Sequence, residues 1–294
     1  MSGVIILFMG KAKKRILIIG ANGQLGSDLQ RVFFKEDVIA LMHQDIEVGN
    51  KMQVKAVLDR YQPEVVINTA AFHNTFECER NSEKAFLVNS IGVRNFVIVC
   101  REKGIRLIQI STDYVFDGKK KRPYIEEDIP NPLNTYGISK LAGEFFAQQV
   151  DNYYIVRVAA LFGISGCRAK AGKNFVEVML EMGKTKKKLD VAANIIISPS
   201  YTKDIALQIK KMLSKNLLSG IYHIANDGQC SWYEFATEIF KQAGISVRVN
   251  KKIETADSCA TQRPLYSVLS SAKLPHLRTW QEALADYLKN RRKK

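Results

Sequence analysis

A tyrosine and a lysine stand four residues apart near the middle of the chain, at Tyr136 and Lys140. On a helix, this spacing places both side chains on one face. A phenol ordinarily ionises at about pH 10, too high for efficient proton exchange at neutral pH. A neighbouring ammonium group favours the phenolate and so lowers the pKa of the tyrosine. The pair therefore predicts a general acid that delivers a proton to a substrate.

A threonine stands at the end of a predicted strand. The apolar run Ile105 to Ile110 is typical of a strand buried in a parallel sheet, and Thr112 follows it by two residues. Ligand crevices in such sheets open at the carboxyl ends of the strands. The Thr112 hydroxyl, which can donate a hydrogen bond, is thus expected to face a ligand.

A glycine-rich turn near the start of the chain indicates a nucleotide site. It follows the predicted strand Arg15 to Gly20 and opens an amphipathic helix. Glycines allow the backbone to approach a pyrophosphate closely, and the helix N-terminus offers free N–H groups and positive potential. We predict cofactor contacts from the turn residues Gly20, Asn22, Gly23, Gln24, Leu25 and Gly26.

The end of the second predicted strand bears on the choice of cofactor. An acidic residue at this point would bind the ribose hydroxyls of NAD and repel a 2′-phosphate. The chain instead has Leu41, Met42 and His43. We therefore predict NADPH, with NADH as an alternative. His43 is a candidate hydrogen-bond donor to the 2′-phosphate. A surface histidine without a ligand is the competing interpretation.

Strands and helices alternate along the chain, which predicts right-handed crossovers and an α/β fold with a doubly wound parallel sheet, the Rossmann type. We place the nucleotide domain over residues 1–165, with residues 1–13 as a basic and apolar extension. A smaller α/β substrate lobe is predicted over 166–294, with segments near 195–226 returning to the nucleotide domain. The predicted strands are Arg15 to Gly20, Val38 to Leu41, Val65 to Ile67, Ile105 to Ile110, Tyr153 to Val158 and Gly220 to Ala225.

The composition excludes several classes of protein. The net charge of +15 comes from scattered basic clusters without a nucleic-acid-binding motif, so we expect no nucleic-acid partner, although the charge favours an anionic ligand. The apolar run Val4 to Met9 is too short to span a membrane. Five widely spaced cysteines lack metal-binding or disulfide patterns and fit a reducing cytoplasm, with no metal expected; they are Cys78, Cys100, Cys167, Cys230 and Cys259.

Several motifs together resemble the short-chain dehydrogenase/reductase superfamily. The glycine spacing is GxxGxxG, and Asn89 matches a helix asparagine of the extended branch. The resemblance implies that Thr112 and Tyr136 polarise a substrate carbonyl while C4 of the nicotinamide delivers a hydride, and that Lys140 holds the nicotinamide ribose. It also implies further cofactor contacts from Asp45, Ile46, Thr69, Ala70, Ala71 and Asn89.

Longer stretches resemble one family, the dTDP-4-dehydrorhamnose reductases. The segment from Ser111 to Gly118 reads STDYVFDG, and Tyr136 to Glu144 reads YGISKLAGE. The likeness extends to Arg263-Pro264. It implies NAD(P)H-dependent reduction of the 4-keto group of a nucleotide-linked deoxysugar, foremost dTDP-4-dehydro-L-rhamnose, and allows for a homodimer. The implied substrate contacts are Thr112, Asp113, Tyr136, Phe175 and Arg263.

The chain departs from this family in two places. Ala160 stands before Leu161-Phe162-Gly163 where the family usually has a tryptophan, and Asn194 to Ile197 replaces a more polar turn. Reductase chemistry is therefore better supported than the particular sugar. Two alternatives stay open: an enzyme of the same fold acting on another nucleotide sugar, as reductase, epimerase or dehydratase, or a regulatory subunit that binds the cofactor without catalysis.

Overall fold

The computed structural model describes residues 13–166, 172–255 and 261–291. The predicted N-terminal extension lies almost wholly outside these ranges, as do Cys167 and Cys259. Cys78, Cys100 and Cys230 are buried free thiols. Within the described ranges, no helix is both long and apolar enough to cross a lipid bilayer.

Twelve strands and ten α-helices make up the described part of the chain. The strands are β1 (Arg15–Ile19), β2 (Asp37–Leu41), β3 (Val65–Asn68), β4 (Arg106–Thr112), β5 (Tyr153–Val158), β6 (Leu161–Phe162), β7 (Lys188–Ala192), β8 (Ile196–Ile197), β9 (Ser200–Tyr201), β10 (Gly220–His223), β11 (Cys230–Ser231) and β12 (Arg248–Lys252). The helices are α1 (Gln24–Val32), α2 (Lys51–Tyr61), α3 (Thr75–Arg80), α4 (Ser82–Phe86), α5 (Gly92–Lys103), α6 (Thr135–Ala147), α7 (Phe175–Thr185), α8 (Thr202–Ser214), α9 (Trp232–Ala243) and α10 (Trp280–Arg291).

The central sheet has six parallel strands in the order β10-β5-β4-β3-β1-β2. The order reverses between β1 and β3, as in a doubly wound sheet, so the predicted fold class is confirmed. Aliphatic residues cover both faces of the strands. One face packs against α1 and α8, and the other against α2, α5 and α6. Because the six strands are parallel, their carboxyl ends lie on one side of the sheet, where the glycine turn and Thr112 are found.

A second hydrophobic core forms from the later part of the chain. Helices α7, α9 and α10 pack around β6 to β9 and β11, and their aromatic side chains interlock. Fully buried aromatic residues of this core include Phe162, Tyr201, Phe235 and Tyr287. The strand β10 lies in the central sheet, and α8 packs on α1. The domain boundary at residue 165 stays a prediction.

One predicted element differs in shape. The periodicity of residues 82–103 predicts a single helix, but the structure divides it into α4, a π-helical turn over Leu87–Ile91 and α5. The wider turn carries Asn89, whose side chain is buried and hydrogen-bonded to two other segments. Such π-turns occur often at functional sites and leave little trace in hydrophobic periodicity. Helices α3 and α10 and the paired strands β7 and β12 were not predicted.

Candidate active site

The glycine turn forms a close cradle at the end of β1. Gly20 has a φ of +75°, which favours glycine. A Cβ on Gly26 would lie 2.8 Å from the Cα of Ala21, so α1 can approach the turn only without a side chain there. The first turn of α1 has no acidic residue. Backbone N–H groups and the helix dipole can thus hold an anionic pyrophosphate.

Two side chains of the predicted cofactor turn have different environments. Leu25 is 4% exposed and packs in the core beside α8, so its side chain supports the turn rather than projecting from it. The Oε1 atom of Gln24 is buried and has no hydrogen-bond partner among the described residues. Gln24 therefore retains an unused acceptor at the mouth of the turn. Asn22 is half-buried beside it.

The loop after β3 closes one side of the glycine turn. The Thr69 hydroxyl donates to the Ile19 carbonyl over 2.7 Å. The Asn68 side chain accepts a hydrogen bond from the backbone of Ala70 and donates to Gln109 on β4. Ala70 and Ala71 are half-buried along the same loop. The predicted residues of this loop are thus brought next to the glycine turn.

Asn89 connects this loop to helix α6 by hydrogen bonds. Its side chain accepts from the backbone N–H of Phe72 and donates to the carbonyl of the same residue, each over 2.9 Å. It also donates to the Ser139 hydroxyl on α6 over 3.0 Å. Only 1% of Asn89 is exposed. Its position therefore indicates support of the loop from behind, and direct contact with a cofactor stays a prediction.

The predicted residues beyond β2 lie at the outer end of the sheet. The side chain of His43 is 76% exposed, with its Nδ1 atom 3.7 Å from a carboxylate oxygen of Glu47. The Asp45 carboxylate accepts from the backbone of Met42 over 2.7 Å. Ile46 is 2% exposed and packs in the core. His43 has space for a phosphate, whereas Ile46 supports the turn with its side chain.

The catalytic helix α6 begins under tight constraint. The side chain of Asn134 caps the helix by accepting from the backbone of Gly137 and donates to the Gln262 carbonyl over 2.8 Å. Thr135 donates from both its backbone and its hydroxyl to Glu79 on α3. A Cβ on Gly137 would lie 2.9 Å from the Cβ of Pro132. The first turn of α6, which carries Tyr136, is therefore held from three sides.

Thr112 and Asp113 lie beside Tyr136. The Thr112 hydroxyl donates to the Asp113 carboxylate over 3.0 Å and accepts from the backbone of Tyr114. Burial raises the pKa of Asp113 to about 6, although hydrogen bonds from Ser267 and Thr112 oppose this. The ring of Tyr136 packs edge-on to Tyr114, with centroids 5.7 Å apart. The three predicted groups Thr112, Asp113 and Tyr136 thus form one cluster.

The expected lowering of the tyrosine pKa is wrong. Burial raises the pKa of Tyr136, and the Thr112 hydroxyl opposes this only partly, while the negative charge of Asp113 adds to it. Lys140 is 4% exposed and donates to the Ile110 carbonyl over 2.5 Å. Burial lowers the pKa of Lys140 to about 8, opposed by the charge of Glu144. Desolvation outweighs the attraction between the pair that the spacing suggests.

The two remaining predicted substrate residues come from the later part of the chain. Arg263 is exposed and follows Gln262, whose carbonyl contacts the cap of α6. Arg263 therefore lies near helix α6, although it comes 127 positions after Tyr136 in the sequence. Phe175 packs against Trp232 with ring centroids 4.5 Å apart, in the second core. Its position is set by that core rather than by α6.

Comparison with known proteins agrees with this geometry. The family model described as RmlD substrate binding domain matches residues 14–293. The spore coat polysaccharide biosynthesis protein SpsK of Bacillus subtilis is 38% identical over 284 residues, covering 94% of this chain and 98% of that protein. The dTDP-4-keto-6-deoxy-D-glucose reductase of Streptomyces niveus is 35% identical over 280 residues, covering 92% and 95%.

A solved structure is similar over nearly the whole fold. The crystal structure of dTDP-4-dehydrorhamnose reductase from Bacillus anthracis in complex with NADP aligns with a TM-score of 0.88 and 35% identity. The alignment covers 95% of this chain and 99% of that one. The chain belongs to the dTDP-4-dehydrorhamnose reductase family. Its similarity to these proteins spans both the central sheet and the second core.

Ala160, where we predict a departure from the family pattern, has an unusual backbone conformation. Its backbone has a φ of +39°, in the left-handed region that side chains larger than glycine rarely adopt. Ala160 follows β5 by two residues, and its carbonyl accepts from the backbone of Ser200. The replacement of an aromatic residue noted in the sequence therefore falls on a strained turn between the sheet and the second core.

Some residues of the reductase site were not assigned a role from the sequence. Glu144, Ser111 and Arg157 form a buried cluster directly behind Thr112 and Lys140. Asp28 on α1 accepts from the Thr202 hydroxyl on α8 over 2.5 Å, which fixes the glycine helix to the returning segment. The spacing of Glu144 four residues after Lys140 was a signal for the first cluster, since it places both on one helix face. No comparable signal marks Asp28, whose partner is distant in sequence.

The buried carboxyl group of Asp113 predicts a pH-dependent stability difference. Its folded pKa of about 6 exceeds the ordinary value of 3.8, so the folded reductase holds this proton more tightly than the unfolded chain. The resulting stabilisation is complete below about pH 4 and is lost as the pH rises through about 6. Asp113→Asn keeps the shape and cannot ionise. We expect the variant to match the parent near pH 4 and to exceed it by about 3 kcal/mol above pH 7.

Urea unfolding of both proteins at several pH values measures this difference. Asp190→Asn is the control, because it removes an exposed carboxylate that accepts from Asn250. A difference in unfolding free energy that stays constant from pH 4 to pH 8 would contradict the prediction.

Proposed function

We propose that this chain reduces the 4-keto group of a dTDP-linked 6-deoxyhexose, with dTDP-4-dehydro-L-rhamnose as the first candidate and dTDP-L-rhamnose as the product. The observation that carries the proposal is the cluster of Thr112, Tyr136 and Lys140 at the sheet edge that also holds the glycine turn. The family membership and the relatives' names agree with it. A role as a non-catalytic subunit would not require this complete set of groups.

NADPH is the proposed reductant, and NADH is an accepted alternative. The glycine cradle and the acid-free first turn of α1 fit the pyrophosphate end of such a cofactor. His43 is exposed where a 2′-phosphate is expected, and the residue at this position is not acidic. The bound cofactor supplies a hydride to the keto carbon. The similar crystal structure from Bacillus anthracis contains NADP, and a structure of WbmG from Bordetella bronchiseptica contains NAD.

The protein's own groups account for the proton and for charge stabilisation. The Tyr136 phenol is protonated at neutral pH, so it can donate to the oxygen that becomes the alcohol. The Thr112 hydroxyl, which otherwise donates to Asp113, can turn to the same oxygen and stabilise its developing charge. Lys140 has further N–H donors beyond its bond to Ile110, and these can hold the ribose of the nicotinamide. Arg263 and Phe175 are the proposed contacts to the nucleotide-sugar.

The sugar is the least constrained part of the proposal. The Streptomyces niveus relative is named for a different 4-keto sugar, dTDP-4-keto-6-deoxy-D-glucose. The departure at Ala160 falls between the sheet and the second core. Reduction of that second sugar is therefore the competing proposal. Both proposals use the same residues for the chemical step.

We further propose a cytoplasmic enzyme that functions without nucleic acid, as a monomer or homodimer.

An assay with purified protein tests the proposed activity and the cofactor together. We expect consumption of NADPH with dTDP-4-dehydro-L-rhamnose, measured by the loss of absorbance, with NADPH equal to or better than NADH in kcat/KM. The physical reason is the absence of a carboxylate at His43 to repel the 2′-phosphate. Preference for NADH by tens of times would contradict the cofactor assignment. Turnover confined to another nucleotide sugar would replace the substrate and retain the reductase class.

Tyr136→Phe removes the proposed proton donor and keeps the ring. We expect turnover to fall by about 10²–10⁴-fold, the usual range for loss of a general acid, with NADPH affinity largely retained. Steady-state kinetics and a cofactor titration measure the two effects separately. Tyr114→Phe is the matched control, because its ring packs against Tyr136 at the same site. A Tyr136→Phe enzyme with parental turnover would exclude this tyrosine as the acid.

Ala160→Trp restores the aromatic residue usual in the family. If the pocket suits the rhamnose precursor, we expect unchanged turnover and a lower KM, since an indole that packs on the sugar buries apolar surface for about 1–3 kcal/mol. The left-handed backbone at Ala160 opposes this gain, so Ala160→Gly reports the effect of relieving the strain alone. Loss of activity in a stably folded tryptophan variant would indicate a pocket shaped for a different sugar.

A further inference from the structure

A row of polar side chains crosses the central sheet at one level. Ser111 on β4 is paired in register with Arg157 on β5, and Arg157 with His223 on β10. Each of these residues is at most 3% exposed. Central strands of parallel sheets are ordinarily apolar on both faces, because helices cover them. A buried polar row at this position therefore requires a specific role.

Glu144, on helix α6 that covers the sheet, binds two members of this row. Its Oε1 atom accepts from the Ser111 hydroxyl over 2.5 Å and from Arg157 Nε over 2.9 Å. Its Oε2 atom accepts from Arg157 Nη2 over 2.6 Å. Both charged side chains are 1% exposed. The helix is thus joined to two strands through one fully buried carboxylate.

The position of this carboxylate relates it to the reacting groups. Glu144 lies one helical turn after Lys140, and Ser111 immediately precedes Thr112. The hydrogen bond between Glu144 and Ser111 therefore sets the distance between the helix that carries Tyr136 and the strand that carries Thr112. A buried ion pair is seldom the most stable solution for a core, because desolvation offsets its attraction. Apolar packing would join α6 to β4 without that cost, which suggests a functional reason for the pair.

The groups around Glu144 set its electrostatic influence. Arg157 faces it from β5 and Lys140 lies on its own helix. The imidazole of His223 faces Arg157, with Nε2 3.4 Å from Nη1, while Nδ1 lies 3.0 Å from the carbonyls of Tyr124 and Ser270. Burial lowers the pKa of His223, which favours the neutral ring. Glu126 lies behind His223 and accepts from its backbone. Glu144 is the acidic group that acts on Lys140.

We propose that Glu144 is a positioning residue for the reduction: through its bonds to Ser111 and Arg157 it holds Tyr136 and Lys140 in register with Thr112. The inference rests on the proposed function, since it assigns a purpose to the same cluster. Glu144 does not contact the substrate in this account. Its effect on catalysis passes through Ser111 and Lys140.

Glu144→Gln tests the proposal because it keeps the size and one acceptor oxygen but removes the charge. We expect kcat to fall by about tenfold or more, as small misplacements of reacting groups can do, with KM and NADPH affinity changed by less than about threefold. The pH at which kcat declines on the alkaline side should also move down, because Glu144 raises a Lys140 pKa that burial holds at about 8. Glu144→Asp retains the charge and should return this pH limit towards the parental value.

Asp204→Asn is the control for a merely structural role. Asp204 is a buried carboxylate on α8, away from α6. It accepts two hydrogen bonds of 2.8 Å from Arg278. It should lower the melting temperature without moving the pH limit of kcat. A folded Glu144→Gln enzyme that keeps either the parental kcat or the parental pH limit overturns the proposal.

Ser111→Ala provides a second test if the glutamine variant does not fold. It removes the hydroxyl that joins β4 to Glu144 and leaves the ion pair with Arg157 intact. We expect a severalfold loss of kcat with unchanged NADPH affinity, and parental kcat overturns the positioning role. An inactive parent would instead refute the proposed function, because every variant is measured against parental turnover of the same keto sugar.

Discussion

The docking of α6 against β4 is the contact on which the site depends. Tyr136 and Lys140 belong to the helix and Thr112 to the strand, so no local interaction can bring them together. The helix approaches closely because Gly137 has no side chain to meet Pro132 and Tyr114. Glu144 then joins the other end of the helix to β4 and β5. Close backbone approach at one end and a buried ion pair at the other leave little freedom for sliding or rotation.

Burial sets the electrostatic state of this site. The pKa of Tyr136 and that of Asp113 are raised, and that of Lys140 is lowered, with desolvation as the largest cause in each case. Each shift favours the uncharged form of its group, but pKa values of about 6 and about 8 still leave Asp113 mostly ionised and Lys140 mostly protonated at pH 7. The Tyr136 phenol carries the proton that reduction requires, although its raised pKa makes it a weaker acid than a free tyrosine. A cofactor or substrate that brings charge into the cleft would change this balance.

The later part of the chain reaches this site through a few defined contacts. The Gln262 carbonyl receives a hydrogen bond from the cap of α6, and Ser267 bonds to Asp113. Thr202 on the returning helix α8 bonds to Asp28 on the glycine helix. Both halves of the proposed reaction, the hydride side and the sugar side, are thereby attached to the same sheet edge. Because Arg263 lies in the segment that contacts α6, substrate recognition and catalysis share one support.

The local features of the protein could be predicted from its sequence. The aliphatic residues within Arg15–Ile19 and Val65–Asn68 are typical of strands that are buried on both faces. Their alternation with helical segments predicted the parallel sheet. The glycine turn and the spacing of Tyr136 and Lys140 predicted the two ends of the site, because their geometry follows from neighbouring residues. The matching of longer motifs to a family then indicated the reaction.

Features that depend on partners distant in the chain could not be predicted in this way. The π-turn at Asn89 requires the loop after β3 and Ser139 on α6, and hydrophobic periodicity does not record such a demand. The raised pKa of Tyr136 follows from burial by other segments, which outweighs the effect expected from a lysine four residues away. Glu144 could be placed on the helix face of Lys140 from spacing alone. Its bonds to Ser111 and Arg157 could not, because they exist only once three elements have packed together.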